Sequence, residues 1–183
     1  RALIFARRVG EGLGMIPAGG GDMRPLTALA KTQAELFHAF PQFLPDQQHF
    51  LFYAMNPQPG ADGWVMAGDL ASQTVKRVLP SASKAIYVRP GYLLYVRGGE
   101  LIAQRFDINR IEAIGDPAVV ADRPWNGIHA FTASDNGTIA FVTRRTPITR
   151  LTWIDRAGKV LQTVGDPSEW VHTLNLTPDG KTL

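Results

Sequence analysis

Six-residue apolar strings recur along the chain, each set off from the next by polar or turn-forming residues. "ALIFAR" (2–7), "FLFYAM" (50–55), "YLLYVR" (92–97) and "TIAFVT" (138–143) line up on Phe5, Tyr53, Tyr95 and Phe141, at intervals of about 48, 42 and 46 residues. Strings this short, rich in aromatic and branched residues, read as strands. A turn phrase precedes three of them: Pro45-Asp46-Gln47-Gln48, Arg89-Pro90-Gly91 and Asp135-Asn136-Gly137, with Pro178-Asp179-Gly180 opening the next. Pro presets φ for the first corner of a turn, and Gly or Asn accepts the positive φ that follows. Each unit therefore carries one hairpin at its turn phrase.

A second hairpin follows in each unit. "WVMAGDLASQTVKRVL" (64–79), "LIAQRFDINRIEAI" (101–114) and "LTWIDRAGKVLQTV" (151–164) each read strand, polar turn, strand, as does "LGMIPAGGGDMRPLT" (13–27). Period-2 alternation, clear in Thr152-Trp153-Ile154-Asp155 and in Lys159-Val160-Leu161-Gln162, suits strands with one buried face. The only helical candidate is "LTALAKTQAELFHAF" (26–40); Thr27, Thr32 and the following Pro41 favour a loop with at most a short turn of helix.

Four short strands in a repeat of about 40 to 50 residues predict an all-β fold, a β-propeller of four-stranded antiparallel blades. Ankyrin and tetratricopeptide repeats are shorter and helical, and a leucine-rich repeat has near half this period. A β-sandwich has turn signals at similar density but would not repeat one aromatic-plus-turn phrase at this interval. The division expected is a partial blade over 1–32, blades over 33–80, 81–122 and 123–166, and the start of a further blade over 167–183, all in one propeller domain. A propeller closes with roughly four to eight blades, so an incomplete ring is expected, a window on a longer protein. Arg1 in place of Met and a strand opening at Gly180-Lys181-Thr182-Leu183 point the same way. Such a piece is expected to show exposed edge strands, low stability and a tendency to associate.

"FPQFLPDQQHFLFYA" and "LNLTPDGKTL" resemble the Pro-Asp-Gly propeller repeats of TolB-like proteins, a WD-repeat-like bacterial class. The series "FPQFLPD…HFLFYA", "PGYLLYVRGGELIAQRFD" and "LTWIDRAGK" is more closely similar to the C-terminal propellers of multidomain bacterial serine/threonine protein kinases. The resemblance spans nearly all of the chain and departs from the repeat at three turns. Gln47 stands where Gly is usual, the Asp beside Pro90-Gly91 is missing, and Ser134 replaces a Pro. It implies a bacterial, non-catalytic sensor or interaction module, with a place outside the cytoplasm or in the periplasm favoured by family analogy and a cytoplasmic one left open.

Composition adds exclusions. With 45% hydrophobic and 19% charged residues among 183, the chain is ordinary for a globular fold. The net charge of +3 comes from 19 basic and 16 acidic residues scattered along the length. Arg7-Arg8 and Arg144-Arg145 are the densest basic spots, far from the clustered stripe a nucleic acid needs. Having no cysteine, the chain has no disulfide, thiolate or Cys-zinc chemistry. No apolar run approaches the roughly 18 residues of a spanning helix, and no signal peptide opens the window.

No kinase glycine-rich loop, His-Arg-Asp or Asp-Phe-Gly occurs, nor a G-x-S-x-G elbow. Gly10, Gly12, Gly14 and Gly19-Gly20-Gly21 lack G-x-x-x-x-G-K-[ST] and a helix to open, so they read as turns. Asp69, Asp107 and Asp155 recur at the ends of third strands and are expected to cap the following turn. His129 and His172 fall eight residues before Gly137 and Gly180, at the start of inner strands near a channel mouth. They are candidate ligand contacts, weighed against solvated or backbone-satisfied rim residues; His38 sits only approximately at that place, and His49 lies beside the turn. Trp64, Trp153 and Trp170 are expected to pack between blades; Trp125, in the connecting loop "DRPWNGIH", is the best candidate for an exposed recognition aromatic, weighed against the favoured reading that it packs as well. No catalytic residue, cofactor or metal is expected in the window.

The expected role is binding of a protein, peptide or cell-wall-derived ligand by the sensor or scaffold part of a receptor-like serine/threonine kinase. The alternatives are the substrate-gating propeller of a prolyl-oligopeptidase-type peptidase and a free-standing periplasmic TolB-like binding protein.

Overall fold

A computed structural model of the chain describes residues 2–30, 35–58, 60–122, 131–134, 138–141, 149–154 and 159–168. The described residues contain strands and no helix. The chain divides into two compact units, Arg1–Arg144 and Arg145–Leu183.

In the first unit, β1 (Ala2–Phe5), β2 (Gly14–Pro17) and β3 (Arg24–Pro25) form a three-stranded sheet in sequence order. A four-stranded sheet follows, again in sequence order, from β4 (Phe37–Phe43), β5 (His49–Met55), β6 (Gly63–Asp69) and β7 (Val75–Ser81). The next sheet repeats it with β8 (Ile86–Val88), β9 (Tyr92–Arg97), β10 (Glu100–Asp107) and β11 (Glu112–Asp122). Then β12 (Phe131–Ala133) pairs with β13 (Ile139–Phe141). All pairings are antiparallel. In the second unit, β14 (Thr149–Ile154) and β15 (Val160–Ser168) form an antiparallel hairpin with Trp153 opposite Gln162.

The repeated aromatic keeps its place in the two four-stranded sheets. Tyr53 lies on the second strand opposite Val65, and Tyr95 lies on the second strand opposite Ile102. These strands read as unbroken apolar runs because both of their faces are covered. On β5, Phe50, Phe52 and Ala54 share a core with Leu13 and Leu26, which flank β2 and β3, while Leu51 joins Leu93 and Tyr95 of the next sheet. On β9, Leu93 and Tyr95 belong to that second core, while Leu94 and Val96 enter a third with Phe131 of β12. A short meander covered on both faces by its sequence neighbours is a propeller blade. The fold is all-β, of four-stranded antiparallel blades. Each large side chain buried between sheets stabilises the stack by roughly 1.5–3 kcal/mol. Trp64 of β6 is in this packing, against the core between the first two sheets, with the Arg77 guanidinium 4.4 Å from its ring centroid.

The hairpin turn between β4 and β5 closes as the phrase Pro45-Asp46-Gln47-Gln48 implies. Gln47 N–H donates to Leu44 O at 2.9 Å, and Gln47 takes φ 56°, the position a Gly would fill without strain. Of the segment expected to be loop over 26–40, residues 26–30 and 35–36 are irregular, and β4 begins at Phe37. In β4 the register slips between Ala39 and Gln42, where Phe40 has φ 55° and Pro41 follows. Pro has no ladder N–H to give, so a bulge is where a paired strand tolerates it.

Candidate functional site

That bulge aims Gln42 at the neighbouring blade. Its Oε1 accepts the Tyr87 N–H at 2.8 Å, and its Nε2 donates to Tyr87 O at 3.3 Å. One side-chain amide thus pairs with the backbone of β8 as a strand residue would, joining the first strands of two successive blades. The Tyr87 ring in turn meets Phe106 edge-on, with centroids 6.1 Å apart.

Beside this bridge lies a cavity of about 540 Å³, lined by Ala2 of β1, Gln42 and Phe43 of β4, Leu70 after β6, Tyr87 of β8 and Arg89 just beyond it. Exposed Pro45 and Gln47 reach it from the hairpin turn. Three sheets thereby contribute to one opening at the end of the blades where the β4–β5 and β6–β7 turns lie. Arg89 is the only charged group among its described lining residues.

The two turns at this rim are tied together. Asp46 Oδ1 accepts the N–H groups of Gln48 and His49, both at 3.0 Å. His49 then bridges the turns, with Nδ1 2.6 Å from Asp46 Oδ2 and Nε2 3.2 Å from Asp69 Oδ2. Gln48 Nε2 also donates to Asp69 Oδ2 at 3.0 Å, and Leu70 N–H to Gln48 O at 3.1 Å. The Ser72 N–H, then the Gln48 amide, and further the Ala71 N–H, hold the Asp69 carboxyl down to about 2. Partial burial raises the Asp46 carboxyl, but hydrogen bonds from His49 and Gln48 outweigh it and leave it below the ordinary range. Asp107 caps its own turn as Asp69 does, accepting from Asn109 and Arg110 at 2.9 and 3.1 Å. Asp155 lies outside the described residues.

His38 is not at a solvated rim. It is buried on β4, 4.7 Å from the Phe52 ring, and is satisfied by side chains. Its Nδ1 lies 2.7 Å from Thr27 Oγ1, and its Nε2 lies 3.1 Å from Glu35 Oε2. Glu35 Oε2 also accepts the Ala30 N–H at 2.7 Å, and Thr27 Oγ1 accepts the Leu13 N–H at 2.8 Å. Thr27 and Glu35 thus hold the imidazole at both ring nitrogens. Burial lowers the His38 pKa, against the opposing pull of Glu35. The network pins the segment between the first two sheets.

The ligand contacts expected from the sequence, His129, His172 and Trp125, lie outside the described residues, as does Trp170. Among the described residues, Gln42, Tyr87 and Arg89 line the cavity. The sequence held one signal for them, an amide in the middle of the apolar string "FPQFL". Among the described residues, no group of three or more His, Cys, Asp or Glu is arranged to hold a metal ion. No helix among them is long and apolar enough to cross a membrane.

No family model matches the chain. No curated protein matches it. Among solved structures it is similar to TolB from Acinetobacter baumannii, with a TM-score of 0.48 and 22% identity over 92% of this chain and 41% of that one. The chain therefore spans 41% of the length of that protein.

Proposed function

We propose that the chain is a non-catalytic binding module whose ligand, a protein or peptide segment, enters the cavity between β4 and β8. The observation that carries this reading is the makeup of the cavity. Its wall mixes apolar side chains, Ala2, Phe43 and Leu70 among them, with polar surface, the Gln42–Tyr87 bridge forms part of one side, and a single cation lines it among the described residues. About 540 Å³ is within the range of roughly 300–1,000 Å³ that ligand sites take. Its described lining offers a place to hold a chain but no nucleophile paired with a base. The wider role we assign is the sensor or scaffold part of a bacterial signalling protein such as a receptor-like serine/threonine kinase. That assignment rests on the repeat phrases alone.

The test is calorimetric titration of acetylated, amidated apolar tetrapeptides into the chain and into Leu70→Trp, which fills the cavity from one wall. Binding to the chain that disappears in the variant, with circular dichroism and melting unchanged, supports the reading. Absence of binding to the chain at millimolar peptide, or equal binding by the variant, overturns it.

A further inference from the structure

We propose that Arg89 anchors the C-terminal carboxylate of an apolar peptide segment seated in this cavity, an inference that rests on the cavity being the ligand site. The charge pattern comes first. Arg89 is the only charged residue in the described lining, and it is exposed, with no hydrogen bond or ion pair to any described residue. The carboxylates of the two turns at this rim, Asp46 and Asp69, are engaged with His49. No described residue pairs with the guanidinium, whose planar fork of donors fits a carboxylate bidentately.

The polar wall narrows the ligand further. Both amide atoms of Gln42 are engaged by Tyr87, so Gln42 neither turns toward a ligand nor competes for its anion. The remaining walls include Ala2, Phe43 and Leu70, so the group that carries the anion presents apolar side chains. A peptide terminus combines these features. Its carboxylate is the one charge that a C-terminal apolar segment carries. A free inorganic anion would meet the guanidinium and leave the apolar walls unused.

The experiment compares acetyl-Ala-Ala-Leu-Phe as the free acid and as the amide, titrated into the chain, Arg89→Ala and Arg89→Gln. The expected result is binding of the acid at least about tenfold tighter than the amide, the scale of one charge-assisted hydrogen bond. Both variants are expected to lose that preference. Equal binding of acid and amide to the chain overturns the carboxylate anchor and leaves the cavity standing as the ligand site. A preference that survives Arg89→Ala overturns the role of Arg89. Displacement of the acid by acetate or inorganic phosphate at equal concentration overturns the chain-end ligand. Failure of both peptides to bind overturns the anchor together with the reading it rests on.

Discussion

Gln42 and Tyr87, 45 residues apart and on different blades, hold each other by two hydrogen bonds that run from one side-chain amide to one backbone residue. Removing the amide leaves a partly buried N–H and C=O of β8 without partners. Gln42→Ala is expected to destabilise the chain by about 1–3 kcal/mol in urea unfolding, the range for orphaning buried polar groups. Gln42→Asn, one methylene shorter, is expected to lose a similar amount. If Asn restored full stability, the bridge would not depend on the reach that the bulge at Phe40 gives to Gln42.

Within one blade, the Tyr53 hydroxyl plays a comparable part. It accepts the Gly63 N–H and donates to Ser81 O, both at 3.2 Å, and so joins the start of β6 to the end of β7. Tyr53→Phe keeps the buried ring and deletes both bonds. A loss of about 1–3 kcal/mol is expected, with faster hydrogen exchange at Gly63 as the local readout.

Gln47 offers the opposite sign. Its φ of 56° lies in the left-handed region, where a side chain costs roughly 1–2 kcal/mol and Gly costs less. Gln47→Gly is expected to raise stability by about 0.5–1 kcal/mol, net of the extra freedom of Gly in the unfolded chain. A lowered melting temperature would show that the Gln47 side chain makes a contribution larger than its backbone strain.

Two pH windows follow from the lowered pKa values. His38 folds with its pKa below 6.5, so the unfolded chain takes up the proton first. Its contribution is complete above pH 6.5 and is lost as pH falls below that toward the folded value. Asp69 is lowered from 3.8 to about 2, so its contribution is present above 3.8 and is lost as pH falls through about 2. Urea midpoints measured against pH are expected to fall in both windows. His38→Gln should remove the first slope and Asp69→Asn should reduce the second, to which Asp46 also contributes, each leaving the other window in place.

Strands and turns were legible because their signals are local. The phrase around Tyr53 and Tyr95 marked the second strand of each four-stranded blade, and Asp69 and Asp107 announced their turns by position alone. The cavity was not legible, because its walls come from residues as distant as Ala2 and Arg89, and only the stacking of sheets brings them together. His38 shows the same limit. Its place near the start of an inner strand was readable, but Thr27 and Glu35, which satisfy it, are set by how the preceding irregular segment folds back. Gln42 would have been found only by asking where a strand amide flanked by apolar residues finds its partners.

Paramagnetic relaxation from an apolar tetrapeptide carrying a nitroxide at its acetyl end tests most directly where ligand is held. The amides of Phe43, Leu70 and Tyr87 are expected to broaden most, with Asn56, Asp62 and Gly98, which line a separate cavity of about 660 Å³, left sharp. Broadening centred on Asn56, Asp62 and Gly98 would contradict that expectation.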